Sequence, residues 1–268
     1  MRSDSKALST VKDALGLGAA KVDTAYTGVN AAIDVVDEIK AKLVAAREPG
    51  VDRTKIQSEI TQLQGQLSSN ASAASFSGEN WLSVDSSASG YNATKTVVAS
   101  FTRSSAGAVS VGTISINTAS TKLFDSATDA AAAGTGILDG RYDAATGALL
   151  ADQSTGGFTV ATLSISALTN SAADLTTLEN YIKGVDNAIS RMTTAASDLG
   201  AAKKRIDIQS TFVTNLMDTI DRGVGTLVDA DMNKESTRLQ ALQVQQQLGI
   251  QALSIANSSS QSVLSLFR

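Results

Sequence analysis

The residues best able to do chemistry lie near the C-terminus, in a run of alternating oxygen-bearing side chains. The sequence DADMNKE at residues 229–235 matches the opening of a calcium-binding EF-hand loop. The sixth position of that loop needs the sharp turn of a glycine but is Lys234, and the twelfth needs a bidentate glutamate but is Gln240. We therefore interpret Asp229 or Asp231 as the N-cap of a helix and predict no metal site here.

The rest of the chain offers little further chemistry. Asp34, Asp37 and Glu38 form an acidic helix face that could hold a cation, but Lys40 and Lys42 follow at once, so a solvated surface is the better interpretation. The chain has no histidine and no cysteine, which removes the commonest general acid or base, thiol nucleophiles and disulfides. With a net charge of −4 it has no basic footprint for nucleic acid. We predict that the protein is not an enzyme, holds no cofactor, binds no nucleic acid and does not insert into a membrane.

Most of these residues lie in predicted helices. Two of the helices form the N-terminal end of the chain. Between residues 8 and 43 apolar side chains recur at alternating spacings of three and four, which predicts one long amphipathic helix. That helix should end just before the only proline, Pro49. A second helix with an apolar stripe over residues 56–67 should begin at a cap, Asp52 or Thr54, and run antiparallel to the first.

The middle of the chain, residues 85–167, is rich in Gly, Ser and Thr and has short β-branched alternations. We predict an inserted β-rich domain with strands at 94–102, 109–116 and 158–165, and a short helix at 127–133. We also expect the insert to have its own small core and to touch the helices only at its two connections.

Helical spacing returns over residues 175–220, and Gly223 and Gly225 interrupt it. A helix of that length spans about 70 Å and needs a helix beside it, which the N-terminal end can supply. The apolar residues expected to form this shared seam, here called the spoke seam, are Val29, Val36, Leu43, Ile182, Ile189, Leu199 and Ile206. A last helix should follow, and its end carries apolar residues with no partner in the sequence, here called the assembly tail: Leu253, Ile255, Val263, Leu264, Leu266 and Phe267.

Specific runs of residues make the chain resemble a bacterial flagellin. The C-terminal runs are LVDADMNKES at 227–236, LQALQVQQQLG at 239–249 and the ending from Leu253 to Arg268. The sequence ASFSGENWL at 74–82 resembles the family's Phe-Asn-Gly turn, with Ser77 in place of the usual asparagine. Residues 18–43 resemble the spoke helix of the rhizobial branch of that family.

The resemblance implies a mainly α fold, in which a long antiparallel helical spoke carries an inserted, variable β-rich domain. It divides the chain into a spoke segment and turn at 1–84, the variable outer domain at 85–167, the long C-terminal spoke helix at 168–225, and the helix and filament-core tail at 226–268. It implies a secreted, extracellular subunit of the flagellar filament, whose partners are other flagellin subunits and the flagellar cap, junction and export proteins. The alternatives are a hook–filament junction protein and a flagellin-like protein that binds surface polysaccharide.

Two further expectations depend on the alignment with that family. In that alignment the chain starts within the family's N-terminal region, so we expect it to lack the segment whose inner helix pairs with the tail. Flagellins that the vertebrate flagellin receptor detects carry Arg, Leu and Gln on the spoke helix, and the matching positions here are Lys40, Lys42 and Ala45. We expect poor recognition, because Lys40 loses the planar guanidinium fork and Lys42 puts an ammonium where an apolar group would pack.

Overall fold

The computed structural model describes residues 2–105, 107–127, 135–153, 156–228 and 232–266. Within them the chain is mainly helical, which confirms the predicted fold class. Its long helices are α1 (Arg2–Ala45), α2 (Arg53–Ala73), α3 (Ala172–Val228) and α4 (Met232–Leu266). Residues 3–217 form one compact unit, and α4 belongs to a second unit.

The turn between α1 and α2 follows from its residues. α1 ends four residues before Pro49, and Gly50 takes the left-handed conformation, with φ at 87°. α2 then starts at the predicted cap, since the Asp52 carboxylate accepts hydrogen bonds from the backbone N–H groups of Thr54 and Lys55. The ion pair between Lys42 and Glu59 lies next to this turn, so the two helices run antiparallel.

The core between α1 and α3 is a long heptad seam. The buried seam residues of α1 are Leu8, Val11, Leu15, Gly18, Val22, Ala25, Val29, Ala32, Val36, Ile39 and Leu43, and Val35 is buried beside them. Those of α3 are Leu178, Val185, Ala188, Met192, Ala195, Leu199, Ala202, Ile206 and Val213, and Asn180, Gly184 and Ala196 are buried beside them. The seam residues are separated by alternating steps of three and four, or by their sum of seven, so one face of each helix stays against its neighbours as in a coiled coil.

The strands form pairs rather than one sheet. The longest pair is an antiparallel hairpin of β4 (Thr94–Arg103) and β5 (Val109–Asn117), with a register shift between Val98 and Ser100. The other pairs join two-residue strands: antiparallel β1 (Ser75–Phe76) with β2 (Glu79–Asn80), parallel β3 (Ser83–Val84) with β6 (Phe124–Asp125), and antiparallel β7 (Arg141–Tyr142) with β8 (Phe158–Thr159). The hairpin confirms the strands predicted at 94–102 and 109–116.

The turn between β1 and β2 is the one that resembled the Phe-Asn-Gly motif. Ser77 and Gly78 both have positive φ, 53° and 79°, as a two-residue hairpin turn of the primed type requires. A left-handed conformation is uncommon for serine and several-fold commoner for asparagine, because the short amide side chain tolerates it better. The serine therefore occupies a position whose backbone favours the family's usual residue.

The strand predicted at 158–165 is wrong beyond Thr159. Two glutamines of α2 form hydrogen bonds with the backbone that follows Thr159. In a sheet, a neighbouring strand would supply such hydrogen bonds. Gln64 Nε2 donates to the carbonyls of Val160 and Leu163 at 3.0 and 3.1 Å, and Gln57 Oε1 accepts from the Ile165 N–H at 2.7 Å. The segment is thus held on a helix surface, which strand periodicity does not anticipate.

The expectation that the insert touches the helices only at its connections is also wrong. The β4–β5 hairpin lies on α1 and α3, where Val97 is packed so closely on Gly18 that a Cβ at residue 18 would come within 2.4 Å of Cγ1. Gln209 of α3 donates to the Ala99 carbonyl at 2.9 Å, and Arg103 pairs with Asp4 of α1 at 3.0 Å. The β4–β5 hairpin of the insert therefore packs on both helices, well away from the two connections.

Two further predictions concern helix boundaries. The glycines at 223 and 225 do not break α3, which continues to Val228; a glycine costs a helix only about 1 kcal/mol, so helical backbone can continue through it. The short helix predicted at 127–133 lies outside the described residues except for Ala127.

Candidate assembly surface

The described ranges contain no group of three His, Cys, Asp or Glu side chains that could hold a metal ion. Asp229 and Asp231, considered above as calcium ligands or helix caps, lie outside the described residues. None of the described helices has the length and apolar character needed to cross a bilayer.

A polar cluster joins α1 to the start of the insert. Lys21 and Lys95 donate to the two oxygens of Glu79 at 2.6 and 3.0 Å. The hydrogen bond from Lys21, helped by the one from Lys95, lowers the pKa of Glu79. A cleft of about 430 Å³ lies beside this cluster, between α1 and β4. Since each lysine already bonds to the carboxylate, the cluster acts as a cross-link between α1, β2 and β4.

A second polar cluster lies inside the insert, around a fully buried carboxylate. Asp125 Oδ2 accepts from Lys122 Nζ at 2.5 Å and from Thr135 Oγ1 at 2.6 Å, and Oδ1 accepts from the Ser86 N–H at 2.9 Å. Burial alone would raise the pKa of Asp125, but these hydrogen bonds outweigh it and lower the pKa to about 2. Asp139 accepts the Asp125 N–H at 2.6 Å, and burial raises its pKa. The cluster ties together three loops of the insert.

Most of the residues assigned to the spoke seam are buried. Val29, Val36, Leu43 and Leu199 are fully inaccessible and Ile206 is 1% exposed. Two others lie at the border of the seam, since Ile182 and Ile189 are only half-buried. The fully buried neighbours Leu178, Val185 and Met192 take the central positions instead. The periodicity gave the correct helix face but shifted its centre by part of a turn.

Ion pairs on the sides of the seam fix the relative position of α1 and α3. Lys40 lies 2.5 Å from Asp186, Lys203 lies 2.5 Å from Asp23, and Arg47 pairs with Glu179. The two residue numbers in each pair add to 226, so the helices are antiparallel and keep one register between these pairs. Exposed ion pairs contribute little stability, about 0–1 kcal/mol each, but they specify this register.

The three positions matched to the receptor contacts lie near the C-terminal end of α1, where Lys40 and Lys42 are half-buried and reach different helices. Lys40 is bound by Asp186, and the hydrogen bond to that carboxylate raises the pKa of the lysine. Lys42 is bound by Glu59 in the same way. Ala45 is exposed. Both lysine ammonium groups are therefore already engaged by acids of the same chain.

The part of the assembly tail that can be described lies on α4 and is exposed. Leu253 and Ile255 are each 68% exposed. The side chains of Val263, Leu264 and Leu266 lie outside the described part of α4, and Phe267 lies outside the described residues. Further apolar residues of α4, which the tail prediction did not include, are more than half exposed as well: Leu239, Leu242, Val244, Leu248 and Ile250.

Sequence reasoning missed the residue that joins the helices at the turn. Arg53 is only 9% exposed, and its guanidinium donates to the Ala46 carbonyl at 2.9 Å, the Leu168 carbonyl at 3.0 Å and Asn170 Oδ1 at 2.8 Å. It thus connects the end of α1, the start of α2 and the approach to α3. A lone arginine after a helix cap carries no sequence signal for this role, because two of its partners lie more than 100 residues away.

Comparison with known proteins places these helices in one family. Residues 1–87 match the bacterial flagellin N-terminal helical region, and residues 182–267 match the bacterial flagellin C-terminal helical region. The chain is 51% identical over 278 residues to Flagellin C of Rhizobium meliloti strain 1021, with all of this chain and 84% of the relative aligned. It is 50% identical over 350 residues to Flagellin A of the same strain, covering 87% of it. It is 45% identical over 269 residues to a flagellin of Brucella melitensis, covering 81% of it.

These matches correct one expectation. The match to the N-terminal helical region begins at residue 1, so the region that the chain was expected to lack is present over residues 1–87. The expectation depended on the resemblance of residues 18–43 to the spoke helix, whereas the family match also covers the residues before Gly18. Residues 88–181 fall between the two matched regions, which agrees with a variable middle.

Proposed function

Because this chain belongs to the bacterial flagellin family, we propose that the exposed apolar side chains of α4 are the surface through which it polymerises. Membership of the family makes the chain a structural subunit of the flagellar filament, which assembles with other flagellin subunits, and not an enzyme. The residues of the assembly tail that extend to Phe267 belong to the same proposed surface.

The arrangement of apolar residues on α4 supports this proposal. At 100° per residue, Leu239, Leu242, Ile250 and Leu253 share one face of the helix, whereas Val244, Leu248 and Ile255 share the opposite face. A helix that is apolar on opposite faces is typical of a fully buried environment. Burying one such side chain contributes about 1.5–3 kcal/mol, so covering both faces in an assembly is strongly favourable.

The partners beyond flagellin itself follow from the same assignment. The relatives are named as flagellins, and flagellins form the extracellular filament. We propose that this chain is secreted through the flagellar export apparatus, follows the junction proteins at the hook and is assembled beneath a cap protein. The division into four segments given above, with boundaries at residues 84/85, 167/168 and 225/226, is part of this proposal.

Expression in a motile host deleted for its own flagellins tests the function. We expect electron microscopy to show filaments on the cells and swimming to be restored. A variant that replaces Leu239 and Leu253 by Ser removes apolar area from one face of α4, and we expect it to be made but not to polymerise. A matched variant, Gln245→Ser with Gln251→Ser, changes two polar residues of the same helix and should polymerise normally. Filaments from the Leu variant equal to those of the control would contradict the assigned surface.

Poor detection by the vertebrate flagellin receptor also remains a proposal. The engagement of Lys40 by Asp186 and of Lys42 by Glu59 supports it, because a receptor would have to break both ion pairs. The triple variant Lys40→Arg, Lys42→Leu, Ala45→Gln restores the three residue types of detected flagellins. We expect it to raise the response of receptor-expressing reporter cells above that of the unmodified protein. A strong response to the unmodified protein would show that the alignment of these positions is wrong.

A further inference from the structure

The cleft between α1 and β4 is lined in part by buried residues. Gly18 of α1 and Val97 of β4 are buried, and Trp81 beside them is only 4% exposed. The indole Nε1–H of Trp81 is itself buried and has no hydrogen-bond acceptor within the described residues. Buried donors are nearly always paired, so a donor that the chain leaves unpaired calls for an explanation. An acceptor that a bound molecule carried into the cleft would supply the missing partner.

The charged residues of the lining favour an anion. They are Lys21, Lys95 and Glu79, which together leave one positive charge. Each ammonium group has three N–H donors and gives one of them to Glu79, at 2.6 Å from Lys21 and 3.0 Å from Lys95. The two lysine side chains are 24% and 23% exposed, so further donors of both can reach a molecule in the cleft. Because Glu79 holds both ammonium groups, less order has to be imposed on them when a ligand binds.

The neutral polar residues of the lining suit hydroxyl groups. Asn92, Thr94 and Thr96 line the cleft and are exposed. Asn92 Oδ1 accepts a hydrogen bond from the Thr94 N–H at 2.8 Å, so the amide N–H groups of Asn92 are the atoms it can offer a ligand. Threonine hydroxyl groups both donate and accept, as the hydroxyl groups of a ligand require.

Apolar residues complete the lining, and the volume of the cleft limits the size of the ligand. Leu17 and Val98 are 49% and 36% exposed, so a molecule in the cleft would cover apolar surface. The volume of about 430 Å³ lies within the range of about 300–1,000 Å³ that is common for small-molecule sites. One small molecule, or the end residue of a longer chain, therefore fits.

We propose that this cleft binds an acidic sugar, either a free hexuronate or a polysaccharide chain that ends in one. Its carboxylate would accept charge-assisted hydrogen bonds from Lys21 and Lys95, its hydroxyl groups would pair with the neutral polar residues, and its C–H groups would cover the apolar ones. Phosphate, with close to two negative charges, is a poorer match, because the Glu79 carboxylate shared by both ammonium groups repels the second charge. Binding here involves no residue of α4, the surface assigned to polymerisation.

Trp81 can report binding directly, because it is the only tryptophan of the chain and lines the cleft. The unmodified chain is titrated as a monomer with galacturonate, with galactose as the neutral counterpart and with inorganic phosphate. We expect galacturonate to change the tryptophan emission saturably. Galactose should bind about tenfold more weakly or worse, because it lacks the carboxylate that the lysines bind. Isothermal titration calorimetry of the same samples detects binding that leaves the emission unchanged.

An oligomer distinguishes the two sources of the sugar acid. Tighter binding of tetragalacturonate than of galacturonate would identify the polysaccharide as the ligand, and equal affinities would identify the free sugar acid.

A matched pair of variants assigns the binding to the cleft. Lys95→Gln removes one of the two ammonium groups and should weaken galacturonate binding by about tenfold. Lys12→Gln changes an exposed lysine of α1 outside the lining and should bind normally. Thr96→Val removes a hydroxyl group but no charge, keeps a β-branched side chain on β4, and should weaken both sugars a few-fold. It tests the site even if Lys95→Gln does not fold, which circular dichroism would show.

Three results would overturn the site: no heat and no change in emission with galacturonate, equal affinity for galactose, or equal loss of binding in the Lys95 and Lys12 variants. Phosphate binding as tight as that of galacturonate would also contradict it, because the cleft would then select charge alone. None of these results bears on filament formation, so the flagellin function would stand.

Discussion

The helices of the 3–217 unit and the helix α4 both carry apolar residues at helical spacing, yet they use them differently. In α1 and α3 the heptad residues are buried, several of them completely, such as Val36 and Leu199. In α4 the corresponding side chains are more than half exposed, such as Leu248 at 60%. The first pattern is a core completed within the chain, whereas the second is the surface that we propose other chains cover. An apolar stripe thus indicates which face needs a partner, but not whether the partner belongs to the same molecule.

The residues next to the apolar faces explain part of this difference. The apolar face of α1 is flanked by charged residues that pair with α3, for example Lys40 with Asp186, so polar residues separate the core from water. On α4 the apolar residues lie on two opposite faces, and the residues between them are mostly glutamine, serine and asparagine. A helix without a charged, solvated face is poorly suited to exist alone in water.

The largest effect is expected for Leu199→Asp in the shared seam. A carboxylate at a fully buried site loses the packing of leucine and must be desolvated, which we expect to lower the free energy of unfolding by about 3–5 kcal/mol. Ile189→Asp, at a half-buried position of the same helix, should cost clearly less. Urea denaturation followed by circular dichroism measures both. Amide hydrogen exchange in α1 should rise in the Leu199 variant, and unchanged exchange there would mean that α1 does not share this seam.

An intermediate effect is expected for Asp125→Asn in the insert, because the Lys122 ammonium loses its buried partner at a cost of about 1–3 kcal/mol. The sign of the pH dependence follows from the lowered pKa. The carboxylate of the folded protein titrates near 2, below its ordinary 3.8, so it stabilises the fold fully above about 4 and loses this contribution as the pH falls towards 2. The raised pKa of Asp139 acts in the opposite direction and offsets part of the loss.

Acid titration of the unfolding free energy distinguishes the two regions. The unmodified protein should lose stability between about pH 4 and pH 2, and Asp125→Asn should be less stable at neutral pH but flatter over this range. The seam residues of α1 and α3 are apolar and do not titrate, so local opening in acid should begin in the insert. Equal acid slopes for the two proteins would show that Asp125 is not the group responsible.

The sequence predicts those parts of the fold that depend on contacts between residues close in sequence. The face of α1, the Asp52 cap and the β4–β5 hairpin follow from contacts between residues close in sequence, so periodicity and turn chemistry predict them. Other contacts join residues far apart in sequence. They are the hydrogen bonds of Arg53, those between α2 and residues 160–165, and the packing of Val97 on Gly18. Such contacts depend on how finished elements pack, and local patterns contain no signal for them.

A smaller effect is expected at the contact between the insert and α1, where two glycines of the same helix provide a matched pair. In Gly18→Ala the new Cβ would lie 2.4 Å from Val97 Cγ1, so the hairpin must move at a cost of about 1–2 kcal/mol. In Gly16→Ala the new Cβ meets nothing within 4 Å, and the better helix propensity of alanine should stabilise the chain by about 0.5–1 kcal/mol. Thermal melting of the two variants gives the signs. If both substitutions stabilised the protein, the insert would not pack against α1 at Gly18.

The smallest effect on unfolding is expected for Leu248→Asp in α4, although its effect on assembly should be complete. Leu248 is 60% exposed, so the substitution removes little buried area, and surface substitutions usually change stability by less than about 0.5 kcal/mol. In the filament the same carboxylate would be desolvated between subunits, which opposes polymerisation. Urea denaturation of the monomer is therefore expected to show an unchanged free energy of unfolding. Electron microscopy under polymerising salt is expected to show no filaments. Gln246→Asp, a neighbouring polar position of α4, serves as the control for added charge. If Leu248→Asp destabilised the monomer as strongly as Leu199→Asp does, α4 would be part of the chain's own core, and the distinction between the two helical regions would be lost.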